Sequence, residues 1–119
     1  MLTFSALVTA FLVSSPAQPQ RLTMAGDYHL GCHLAGDATH WSEVPVEHEA
    51  TARACIAVVG MLMFTGRERG ICPPAPATRQ HAAAVVAQYL DENPQVRLEE
   101  FRSAAEVALT TAYPCEVLD

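Results

Sequence analysis

The sequence predicts a small all-α protein: a four-helix bundle with two disulfides, preceded by an N-terminal signal peptide. Three observations carry this. Apolar residues recur at three- and four-residue steps through much of the C-terminal half, which is helical periodicity. The first residues form an apolar run suited to export. Cys32, Cys55, Cys72 and Cys115 all lie beyond it, and an even cysteine count in a small exported domain reads as a disulfide framework. A length of 119 residues makes one domain the default, and an apolar share of 50% is enough to build a core.

The start, MLTFSALVTAFLVSSPAQPQ, has an apolar run from Leu2 to Val13. Ser15-Pro16-Ala17 supplies the small-x-small pattern of a cleavage site. Residues 1–17 are therefore read as a signal peptide, 18–23 as a leader and 24–119 as the helical domain. No Arg or Lys precedes the run, so the terminal amine alone supplies positive charge there. The run is too short for a finished membrane anchor, and no mature segment is expected to span a membrane.

The first helix is expected over about Met24 to Ala35, weakened by Gly31 and ended by Gly36 and Asp37. A polar loop with Trp41 leads to Pro45. The second helix runs from about Glu47 to Phe64, with Glu47 and Glu49 favourable in its first turn. Its stretch ACIAVVGMLMF is apolar on every side and reads as a fully buried central helix, with a buried strand as the alternative. Gly60 within it costs about 1 kcal/mol relative to Ala unless another backbone packs closely there. Thr65 to Ala77 is a Gly- and Pro-rich loop holding Cys72.

Thr78 caps the third helix, which runs to about Glu92. Asp91 and Glu92 are electrostatically misplaced at its C-terminal end. Asn93 and Pro94 read as the N-cap and first residue of the fourth helix. Its apolar stripe is Leu98, Phe101, Ala105, Ala108, Leu109 and Ala112, and Pro114 stops it just before Cys115. A short connection makes the last two helices antiparallel neighbours. Their expected lengths, roughly 22 and 28 Å, bring Cys115 back beside Cys72. Of three possible pairings this favours Cys72 with Cys115, leaving Cys32 with Cys55.

The charge excludes some functions. Acidic residues outnumber basic ones 13 to 7, every basic residue is Arg, and the net charge is −6. Nucleic-acid binding needs a basic face and is not expected. His29 and His33, at i and i+4, fall on one face of a helix, as a metal site requires, with Asp27 or Asp37 as a carboxylate. Gly31 weakens that helix, so scattered surface histidines and no metal site are expected. No zinc knuckle, G-x-S-x-G elbow or phosphate-binding glycine loop occurs. No catalytic residue and no cofactor are expected.

The C-terminal half carries a motif set. Cys72-Pro73 is followed by Thr78, then Tyr89-Leu90, then Pro94. The chain closes on Ala108-Leu109-Thr110-Thr111-Ala112-Tyr113-Pro114-Cys115. Over about Ile71 to Cys115 this resembles the Tai (type VI amidase immunity) family, which includes the Rap resistance proteins. Upstream, Val58 stands where that family has an aromatic, Gly60 falls one place early, and Gln80 is adjacent to the family's glutamine position.

The resemblance implies a periplasmic antitoxin that occludes the active-site cleft of a peptidoglycan amidase delivered by rival cells, in a family whose members are often homodimers. Such a protein needs a rigid scaffold and an exposed tip rather than catalytic residues. The expected contact residues are Arg67, Glu68 and Arg69 in the long loop and Asp91, Glu92 and Asn93 in the helical turn. The alternative is an exported helical binding or structural module with a non-toxin partner.

Overall fold

The computed structural model describes residues 24–116. The signal-peptide and leader readings lie outside the described residues. Four α-helices follow in order: α1 (Ala25–Asp37), α2 (Val46–Thr65), α3 (Arg79–Glu92) and α4 (Phe101–Ala112). Short 3₁₀ turns at Trp41–Glu43, Gly66–Arg69 and Pro94–Leu98 join them. Among the described residues there is no strand, only isolated bridges between Met24 and Glu100 and between Ile71 and Pro114. The all-α expectation holds, and the strand alternative for the apolar run does not.

The centre of the bundle is α1, the helix the sequence marks as weak. Its most extensive contacts are with α2 and α3. Two glycines make this possible. A Cβ at Gly31 would lie 2.7 Å from the backbone carbon of Thr51 on α2, and one at Gly36 would lie 2.8 Å from the Cα of Ala84 on α3. Both helices approach α1 backbone to backbone. Gly31 therefore trades helix propensity for close packing, a trade that a single sequence does not reveal. Tyr28 stacks on Phe101 with ring centroids 4.2 Å apart, which fixes the start of α1 against α4.

The apolar run in α2 is not buried on all sides. Ala52, Cys55, Val59 and Leu62 form one buried stripe at helical spacing. The opposite side carries Val46 and Phe64, 83% and 91% exposed, with Met61 at 38%. α2 is a peripheral helix with one apolar face left outside. Together with the turn that follows it, α2 forms a helical span, Val46–Arg69, long and apolar enough to cross a membrane by length and composition alone, as core helices of soluble proteins also are.

α3 begins as expected, with the Thr78 hydroxyl accepting from the His81 N–H. Ala82, Ala83, Val86, Ala87 and Leu90 are its buried face. The expected start of the last helix is corrected. Asn93 and Pro94 open a 3₁₀ turn, and α4 starts at Phe101. Glu100 caps it, accepting from the N–H groups of Arg102 and Ser103. This moves Leu98 off the stripe, and it is 77% exposed. Ala112 is exposed too, whereas Ala104 joins the buried face. Full burial of Leu62, Leu90, Leu109 and Ile71 contributes roughly 1.5–3 kcal/mol for each side chain.

Cys32 pairs with Cys55 and Cys72 with Cys115, with Cα atoms 5.5 and 4.9 Å apart. This is the pairing that an antiparallel α3 and α4 favour. The Cys72 N–H also donates to the Tyr113 carbonyl, so backbone and sulfur tie the loop to the end of α4 together.

Candidate partner-binding surfaces

The two expected contact triplets lie at opposite ends of the bundle. Arg67, Glu68 and Arg69 form the 3₁₀ turn that follows α2. Gly70 reverses the chain after them at φ 88°, a left-handed conformation in which glycine carries no Cβ penalty. The turn leans on the second disulfide, with the Arg67 carbonyl oxygen 3.9 Å from the Cys115 sulfur. Asp91, Glu92 and Asn93 sit at the far end of α3. Fourteen residues of helix, about 20 Å, separate the ends of α3.

At the loop end, Arg69 approaches Glu106 of α4 at 3.9 Å. Arg67 and Glu68 are exposed, without an ion pair among the described residues. Beside them stands Phe64. An open hollow lies there, lined by Met63, Phe64, Arg67, Ile71, Cys72 and Pro73. A second open concavity brings Glu68 against the same phenylalanine. An exposed aromatic next to opposite charges, on a turn braced by a disulfide, fits the anatomy of a protein-binding hot spot. Sequence reasoning found the charges but missed Phe64, because the apolar run that contains it reads as core.

The turn end is built differently. Asn93 donates from its side-chain amide to the Tyr89 carbonyl at 2.9 Å and so closes α3. Glu92 accepts from Gln88. Asp91 reaches back to α1, where its carboxylate accepts from the Nε2 atoms of both His29 and His33, the latter at 2.9 Å. These histidines are not scattered. They converge on a carboxylate from another helix, not on Asp27 or Asp37. The hydrogen bond from His33 holds the Asp91 carboxyl below its usual range, with His29 adding to the effect and partial desolvation opposing it.

The loop end is thus a rigid turn with an apolar anchor, and the turn end is a polar cluster bridging two helices. Comparison with known protein families bears on what is contacted. A profile described as Rap1a immunity proteins matches residues 13–115. The chain belongs to the Rap1a immunity protein family. The match covers all four cysteines and extends the resemblance, drawn on the C-terminal half, over the first two helices. No curated protein and no solved structure gives a significant match. As a Rap1a-family member the chain is an immunity protein, whose partner is a secreted effector protein. The family is generally non-enzymatic.

Proposed function

We propose that this Rap1a-family protein acts in the periplasm, where it binds and occludes a peptidoglycan amidase delivered by a type VI secretion system. Family membership carries the immunity role, and the motif resemblance over Ile71 to Cys115 supports the amidase target and the type VI route. The two disulfides support the compartment, because such bonds form and persist in oxidising environments. The loop end supports the mode of action. Phe64 is the anchor for the cleft, Arg67 and Glu68 set orientation around it, and the Cys72–Cys115 bridge holds the turn so that little entropy is lost on docking.

The test has two arms. Co-expression in the periplasm with a candidate amidase should restore survival, and the same chain kept in the cytoplasm should not. Phe64→Ala and the Arg67→Ala/Glu68→Ala pair should each weaken effector binding while leaving the unfolding midpoint unchanged. A buried aromatic anchor is worth at least about 2 kcal/mol, or roughly thirtyfold in affinity. Unchanged affinity in both variants removes the loop end from the interface. The resemblance also makes a homodimer an expectation, and sedimentation equilibrium of the oxidised protein checks it.

A further inference from the structure

We propose that His29, His33 and Asp91 form a binding site for one divalent transition-metal ion of the zinc type. This inference stands independently of the effector reading. His29 and His33 are one helical turn apart on α1, and Asp91 comes from the last turn of α3. Their ligand atoms all lie within 4.8 Å of one another. Both rings present Nε2 to the same carboxylate.

The donor set selects the ion. Two imidazoles and a carboxylate suit zinc, nickel or copper, whereas magnesium and calcium require shells of oxygen. Three protein ligands leave a position open for water or for a group on another molecule. Zinc bonds of about 2.0–2.2 Å in a tetrahedron place ligand atoms roughly 3.3–3.5 Å apart. The present ligand atoms, all within 4.8 Å of one another, lie in the range of that spacing. Coordination needs the lone pair at each Nε2, so a neutral ring carries its proton on Nδ1 and a protonated ring releases one.

The scaffold is rigid where the site needs it to be. Cys32, bonded to Cys55, lies beside His33 in the chain, and Gly31 seats α1 directly on α2. On the other side, Gly36 seats α1 on α3, which fixes the helix that carries Asp91. Pre-positioned ligands on packed helices bind metal with less reorganisation than ligands on loops. The site also accounts for a misplaced charge. An acidic residue at a helix C-terminus is unfavourable, and a cation held at Asp91 reverses that sign.

The experiment uses the full oxidised chain, freed of metal by a chelator and dialysed against zinc. One zinc per chain is expected, with a raised melting temperature that magnesium does not reproduce. Cobalt in the same site should give visible absorption bands of a low-coordinate ion with nitrogen ligands. His29→Gln, His33→Gln and Asp91→Asn should each lower zinc affinity at least tenfold. The His40→Gln/His48→Gln double variant should bind as the parent does. Circular dichroism verifies that every variant is folded. Absence of stoichiometric zinc uptake overturns the proposal, as does uptake that survives removal of all three side chains.

Discussion

Replacing Gly31 with alanine isolates the contact on which the centre of the bundle depends. Alanine favours the helix by about 1 kcal/mol. Against this, the new methyl would meet the Thr51 backbone carbon at 2.7 Å, its Oγ1 at 2.8 Å and the Ala52 nitrogen at 2.9 Å. Two of these three atoms are main chain, so no rotamer change relieves them. Ordinary contact begins near 3.4 Å, so α1 must retreat from α2 by about 0.7 Å. The Cys32–Cys55 bridge, one residue further on, resists that retreat. Overpacking of this kind costs about 1–3 kcal/mol, and contact with backbone places it at the upper end. The net loss is about 1–2 kcal/mol, equivalent to a fall in melting temperature of roughly 5–15 °C. Gly60→Ala is the control. There the three nearest atoms all belong to the Arg79 side chain, the first at 3.1 Å, and that chain can swing aside. It should be neutral or stabilising by up to about 1 kcal/mol. Thermal and guanidinium unfolding of the oxidised protein measures both. A Gly31→Ala protein as stable as the parent, or a Gly60→Ala protein that falls as far, refutes the reasoning.

Three further outcomes are expected. Removing the Cys72–Cys115 bridge, which closes the longer loop, should cost about 4 kcal/mol and removing Cys32–Cys55 about 3 kcal/mol, read from denaturant midpoints of the paired Cys→Ala variants. Glu100→Gln should lose about 1 kcal/mol at neutral pH, because the cap of α4 weakens. The Ser103 hydroxyl and the backbone N–H groups of Ser103 and Arg102 hold the Glu100 carboxyl below its ordinary value of 4.5. That stabilisation is complete above the unfolded value and disappears as pH falls through the lowered folded one, so unfolding curves of parent and variant should converge in acid. Tyr113→Phe should be neutral or stabilising by up to about 1 kcal/mol on heating, since the buried hydroxyl has no hydrogen-bond partner among the described residues.

What the sequence reveals depends on how one-sided each helix is. α4 separates an apolar stripe from a polar face, and α3 pairs a threonine cap with a buried face, so both are legible by period alone. The disulfide pairing follows from their antiparallel return. α2 is opaque for the opposite reason. With apolar residues all round, its period does not say which face is covered, and Phe64 is read as core although it is the most exposed large hydrophobic among the described residues. Gly31 is opaque because propensity measures the isolated helix, whereas its value lies in the neighbour it admits. The Asn93–Pro94 start misleads because those residues serve a 3₁₀ turn as well as they serve a helix, and Glu100 is not among the usual capping residues. The cluster of His29, His33 and Asp91 joins residues 58 and 62 positions apart, which no local pattern can connect.

The sulfur bonds join neighbours along the chain: first cysteine to second, third to fourth. An oxidant that meets the polypeptide as it emerges, N-terminus first, would link each thiol to the preceding unlinked one and arrive at the native pairs without reshuffling. Under the proposed export, maturation should ask for an oxidase alone, and a host lacking a disulfide isomerase should still produce this protein in its native form.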